Sequence, residues 1–162
     1  MSHTDVVERF SRSIELRDVE AVCKCFMPDA IYHDAIYGEH VGRDAIGELV
    51  SAVQRQASDF VWTNHRIVAD KDAAYAEFTL RLRTNDAPGK TGRTLSVSGV
   101  ISLVFEGGLI REYREYMDVG LTLLELGYND QAIIEQLRER ARGNQSSASG
   151  HCSRRLHLDN TL

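Results

Sequence analysis

Proline is scarce in this chain, at two among 162 residues, and glycine is modest at twelve. Together they exclude a collagen-like or Pro-rich disordered polymer. Only three cysteines are present, Cys23, Cys25 and Cys152. Cys23 and Cys25 point in different directions on a helix, and Cys152 is remote, so there is no disulfide framework. That pattern fits a reduced intracellular compartment. No apolar run approaches the roughly 18–20 residues of a membrane span. A basic excess is also lacking: 19 Lys and Arg face 24 Asp and Glu, a net charge of -5. A chain of pI about 5.7 is a poor partner for nucleic-acid phosphates. The opening Met1-Ser2-His3-Thr4-Asp5 has neither a basic n-region nor an apolar h-region. This argues against export and for a cytoplasmic protein.

What is present suits one domain: 43% hydrophobic and 27% charged residues over 162 positions. The last twenty residues, from Gly143, are polar and small-residue-rich. They offer little apolar surface against the entropy of ordering, so residues 143–162 read as a flexible tail behind a domain at 1–142. The body opens with helices. Asp5 and Glu8 have capping-box spacing, and Val6, Val7, Phe10 and Ile14 share a face. Asp18 caps a second helix ended by Pro28. Ala30–Asp34 reads as a short strand. A loop with Gly38 and Gly42 then leads to a third helix, with Ile46, Leu49, Val50 and Val53 inward.

The middle is strand. Phe60–Ala69 is aromatic and β-branched, and residues 74–83 alternate apolar with polar. A turn over Asn85–Gly92 leads to Leu95–Phe105, and Glu106-Gly107-Gly108 turns into Leu109–Asp118. A short helix ends at Gly127. Asn129 or Asp130 caps a last helix that Gly143 stops near Arg142. Segregated helices and strands give an α+β class. The expected shape is a cone: a curved antiparallel sheet wrapped over N-terminal helices, with an apolar interior.

The stretch Asp29-Ala30-Ile31-Tyr32-His33-Asp34 with Val41-Gly42-Arg43-Asp44-Ala45-Ile46 resembles the nuclear transport factor 2-like superfamily. So does Gly107 to Asp118, and the likeness runs from residue 5 to about 127. Within the superfamily it is closest to SnoaL-like polyketide cyclases, limonene epoxide hydrolases and ketosteroid isomerases. The fold hosts many chemistries and also non-enzymes. The resemblance to ketosteroid isomerases puts Asp34 at the general base. It puts Phe10 and about Ile101 where the two oxyanion donors stand, so that mechanism lacks its donors. The resemblance to limonene epoxide hydrolases puts Tyr32 and Asp34 at the Tyr and Asn that hold the water, and Glu115 at the last-strand Asp. The remaining Arg and Asp fall on Phe78 and Leu80. The resemblance also implies a homodimer through the outer sheet face, which carries Tyr75, Glu77, Thr79 and Arg81.

Asp34, Glu115 and Tyr32 are therefore the candidate catalytic residues. Strand alternation puts Tyr32 with Asp34, and Tyr113 with Glu115 and Met117. The resemblance implies that both faces look into the cone, where desolvation raises a carboxylate's pKa and suits it to general acid–base work near neutral pH. Alternatively, Glu115 pairs with Arg111, Arg114 or Arg43 on the sheet surface. Tyr32 and Tyr113 either donate to a substrate oxygen or are amphipathic wall. Candidate substrate contacts are Tyr113, Trp62, Phe10, Phe78, Leu80, Ile101, Met117 and His40. The aromatics among them serve equally as core, and His40 is either a lid residue or a solvent-facing one. His33, Asp34, Glu39 and His40 fit no metal-ligand spacing. The expectation is a cofactor-independent acid–base enzyme acting on a small apolar oxygenated molecule, of cyclase, isomerase or dehydratase type. Epoxide hydrolysis, and a non-catalytic binding or dimerisation module, are the alternatives. A ligand-sized cavity of roughly 300–1,000 Å³ favours an enzyme, and a filled or narrow cone favours the module.

Overall fold

The computed structural model describes residues 2–85 and 92–147, with side chains as far as Arg142. Helix α1 (His3–Glu15) starts one turn earlier than the Asp5–Glu8 spacing suggests. Ser2 is the N-cap: its hydroxyl accepts from Asp5 N at 3.1 Å, and the Asp5 carboxylate accepts from Ser2 N at 2.7 Å. A hydroxyl cap with an acid three residues on satisfies two otherwise orphaned donors. The α1 face Val6, Val7, Phe10 and Ile14 is buried as its periodicity predicts. Asp18 caps α2 (Val19–Lys24) through Ala21 N at 2.9 Å.

Strand β1 (Phe26–Asp34) is longer than its apolar core suggested and includes Pro28. Residues 38–41, expected as loop, form strand β2 (Gly38–Val41), paired back on β1. Gly38 at φ +85° and Gly42 at φ +86° frame it, conformations that favour glycine. Helix α3 (Arg43–Gln56) follows, then β3 (Ala57–Ala69), β4 (Ala73–Thr84), β5 (Thr94–Glu106) and β6 (Leu109–Met117). Of the expected turn over Asn85–Gly92, residues 86–91 lie outside the described residues. Helices α4 (Val119–Glu125) and α5 (Asp130–Ser147) complete the chain. Asn129 accepts from Ala132 N at 2.9 Å and so caps α5. The helix continues past Gly143 to Ser147, because glycine weakens a helix without ending it unless the chain turns there. The rest of the expected tail lies outside the described residues.

The six strands form one curved sheet in the order β2-β1-β6-β5-β4-β3. Strands β3 to β6 make the expected antiparallel meander, whereas β1 joins β6 in parallel. The fold is the anticipated α+β cone, with one parallel seam. Its closed end is filled by Phe10, Phe26, Trp62, Phe78 and Tyr113 in edge and stacked contacts. No helix among the described residues is long and apolar enough to cross a membrane.

Gly99, in the middle of β5, fixes how tightly this end closes. A Cβ there would lie 2.5 Å from the Tyr116 carbonyl oxygen and 3.3 Å from the Phe78 ring. Backbone cannot yield as a side chain does. Gly99→Ala is therefore expected to destabilise the fold by about 1–3 kcal/mol, read as a lower urea midpoint.

Candidate functional site

The parallel seam sets the site. Tyr32 on β1 lies beside Tyr113 on β6 in register, and their rings stack at 4.1 Å. Both hydroxyls reach the same acceptor: Tyr113 donates to Glu115 Oε1 at 2.7 Å and Tyr32 at 3.3 Å. Glu115 Oε2 accepts from Ala35 N at 3.3 Å, in the turn that follows β1. Among the described residues, no arginine closes on Glu115. Arg43 donates to the Phe26 carbonyl, Arg111 pairs with Asp29, and Arg114 with Glu112. The surface-pair alternative for Glu115 is thereby excluded.

Asp34 ends β1, and its Oδ1 accepts from Ile36 N and Tyr37 N, both at 2.7 Å. This is an Asx-type turn, in which the side chain folds its own backbone into the β1–β2 corner. Among the described residues Oδ2 makes no hydrogen bond, and Asp34 borders the cavity. Burial raises the Asp34 pKa, against the pull of the two backbone N–H groups and of the charges on His40 and Arg140. Glu115 is shifted further, to about 8, by burial and then by the negative charge of Asp34. The two short amide bonds pull against burial at Asp34, whereas at Glu115 burial and Asp34 act together to hold the proton up to about 8. Tyr32 and Tyr113 are pushed well above the usual phenol range, by burial and then by Glu115, and stay hydroxyl donors. Tyr37, raised to about 12 by burial and Asp34, does the same.

These groups stand at one side of a cavity of about 140 Å³. The rest of the wall is mostly apolar: Leu49, Val50 and Val53 from α3, and Phe60, Trp62, Phe78, Leu80, Leu82, Leu95 and Val97 from the sheet. Met117, and Thr122 and Leu126 of the α4 segment, complete it. The hollow is narrower than the roughly 300–1,000 Å³ expected of a ligand-sized site, so it admits only a small guest. A space near 150 Å³ suits about one six-membered ring.

Of the residues singled out from sequence, Tyr32, Asp34, Glu115, Trp62, Phe78, Leu80 and Met117 border this cavity. Phe10 and Ile101 are fully buried and sit behind the wall, where α1 packs into the closed end. Tyr113 is also fully buried, and its hydroxyl is spent on Glu115. His40 lies on β2 paired with Tyr32 and is not part of the lining; its charge lowers the Asp34 pKa. His33 faces Glu39 and Glu112 on the other side of the strand. Sequence reasoning missed Tyr37 and Gln54. Gln54 falls on the Ile46–Val50 stripe at helical spacing, and that interruption of an apolar face was the available signal.

A cone of one curved sheet wrapped over N-terminal helices is the nuclear transport factor 2-like fold. The sequence profile of the SnoaL-like domain matches residues 7–113, and the chain belongs to that family. No curated protein sequence matches it. Solved structures confirm the fold. One is a protein with a ketosteroid isomerase-like fold from Catenulispora acidiphila DSM 44928, in complex with trimethylamine. It is 18% identical with a TM-score of 0.68, over 76% of this chain and 93% of that one. Another, by name a SnoaL-like polyketide cyclase from Shewanella denitrificans OS-217, is 15% identical with a TM-score of 0.67, over 76% and 96%. TerC, co-crystallised with polyporic acid, is 15% identical with a TM-score of 0.66, over 78% and 98%.

The Glu115 shift makes stability depend on pH with a defined sign. The folded chain holds this proton up to about 8, whereas an ordinary glutamate releases it near 4.5. The contribution is fully present below pH 4.5 and is lost as pH rises through 8. Urea unfolding at pH 5 and pH 8.5 is expected to show wild type losing a few kcal/mol more than Glu115→Gln over that interval. Equal losses would mean that the carboxyl is solvated.

Proposed function

We propose that the protein is a cofactor-independent acid–base enzyme acting on a small, mostly apolar, oxygenated ring compound of polyketide or terpenoid type. The observation that carries this reading is geometric: two carboxyls, Asp34 and Glu115, border one apolar hollow, and no arginine among the described residues pairs with Glu115. In this reading Asp34 Oδ2 takes a proton from the carbon next to a carbonyl. The C–H electron pair moves into a carbon–carbon double bond, and the carbonyl oxygen takes the proton of Glu115. Asp34 is then protonated and Glu115 ionised. Return of the Asp34 proton to a different carbon gives isomerisation; attack of the enol carbon on a second carbonyl, whose oxygen takes the Asp34 proton, gives cyclisation. In either route the enol O–H returns its proton to Glu115 as the carbonyl re-forms, and both groups are restored. Phe78 and Leu80, at the positions expected for the hydrolase Arg and Asp, form apolar wall, which weighs against epoxide opening of that type.

Exchange of α-protons for deuterium tests the first step without knowledge of the product. Thermal stabilisation by a panel of small cyclic ketones selects the ligand. Proton exchange on it in D2O, followed by NMR, then reads the base. Asp34→Asn keeps an acceptor for Ile36 N and Tyr37 N but lacks the charge. It should slow exchange by about 10²–10⁴-fold, as should Glu115→Gln. The wild-type rate should fall as pH rises through about 8, where Glu115 gives up its proton. Undiminished exchange in Asp34→Asn would remove the enzyme reading and leave a ligand-binding module.

A second proposal concerns assembly. Val61, Tyr75, Val100, Val104 and Tyr116 are exposed on the outer face of the sheet, beside Glu77, Thr79 and Arg81. This apolar face suits a homodimer formed sheet to sheet. Val100→Glu is expected to shift the sedimentation profile from dimer to monomer, and a wild-type monomer at micromolar concentration would refute the assembly.

A further inference from the structure

Polar groups in an apolar wall need partners, and several in this one have them. Trp62 Nε1 donates to Asn64 at 2.9 Å, and Thr122 Oγ1 to the Asp118 carbonyl at 2.8 Å. Thr84 Oγ1 accepts from Arg93 N at 2.8 Å. Gln54 differs. It is 7% exposed, it borders the cavity, and its Nε2 has no hydrogen-bond partner among the described residues. Leaving such a donor unpaired is costly unless something else supplies the acceptor.

Its backbone is held in place. Arg17 adopts φ +59° where the chain leaves α1 and donates to the Gln54 and Ala57 carbonyls, closing the C-terminal end of α3. Its guanidinium lies 5.7 Å from the centre of the Phe60 ring. The side chain then follows Ile46 and Val50 on the inward face. The terminal amide bond turns in a broad two-fold well, so its N–H can swing to an acceptor in the hollow. Gln54 leads into β3, whereas Asp34 and Glu115 belong to β1 and β6, with β5 and β4 between them in the sheet.

We propose that Gln54 is a second polar anchor, donating to a ligand oxygen across the cavity from the carboxyl pair, so that the site selects small rings bearing two oxygen functions. This rests on the reading of the cavity as a site for oxygenated ligands. Gln54 orients the ring so that one oxygen, or the carbon beside it, meets Asp34 and Glu115.

A matched probe pair tests it: 4-hydroxyacetophenone and 4-ethylphenol, which differ by a carbonyl oxygen in place of two hydrogens. Their dissociation constants are measured by NMR titration on wild type, Gln54→Met, Gln54→Leu and Glu115→Gln. In wild type the carbonyl should favour 4-hydroxyacetophenone, and in both Gln54 variants that preference should fall about 5–10-fold, with 4-ethylphenol affinity unchanged. Both Gln54 variants should melt at or above the wild-type temperature, since each removes an unpaired buried donor. A preference that persists in both variants overturns the anchor. The cavity reading survives that result if Glu115→Gln weakens both probes. A melting temperature lowered in both variants with the preference intact assigns Gln54 a structural task and also overturns it. Failure of both probes to bind wild type removes the anchor and the cavity reading together.

Discussion

The hydrogen bond from the Tyr113 hydroxyl to Glu115 Oε1, 2.7 Å long, is the interaction on which the site depends. It exists because β1 lies parallel to β6 with Tyr32 opposite Tyr113. That register puts two phenols on one carboxyl oxygen, while the turn after β1 brings Ala35 N to the other. Both oxygens of Glu115 are thus engaged inside a greasy cone, and among the described residues no cation stands against it. Its raised proton affinity follows first from burial and then from Asp34. Asp34, two residues beyond Tyr32 on the same strand face, supplies the like charge that keeps the two acids apart in proton affinity.

The aromatic closed end and the hollow open end are two parts of one packing scheme. Phe10, Phe26 and Trp62 interlock where α1 meets the sheet. Past Phe78 the strands carry Leu80, Leu82, Leu95 and Val97, which line space instead of filling it. Close packing at one end lets the other remain hollow, with stability drawn from the part of the molecule that need not bind anything. An enclosure of about 140 Å³ leaves little freedom to a ring-sized guest.

Much of this was legible in the chain. The strand alternation of residues 74–83, the Gly107-Gly108 turn and the inward stripe of α3 are local patterns, and each led to the right element. Alternation placed each carboxylate on a strand face with a tyrosine, but only the family resemblance turned both faces into the same cone. The parallel seam was not legible, since it joins residues some eighty positions apart through no local signal. Strand β2 was hidden because Gly38, Glu39, His40 and Val41 carry no apolar alternation. Phe10 and Ile101 fell behind the wall because an apolar residue in a cone reads alike as core or as lining until the depth of the hollow is known. Gln54 was passed over because a polar residue at the end of an apolar stripe usually marks the helix's exit into solvent.

The two oxygens of Asp34 have divided duties. Oδ1 belongs to the hairpin corner, through the amides of Ile36 and Tyr37. Oδ2 makes no hydrogen bond among the described residues, and Asp34 borders the hollow. A proton arriving on Oδ2 leaves Oδ1 a carbonyl-like acceptor that both amides still satisfy. The corner therefore has no reason to loosen each time the acid is loaded and unloaded, and the chemical cycle is insulated from the backbone that carries it.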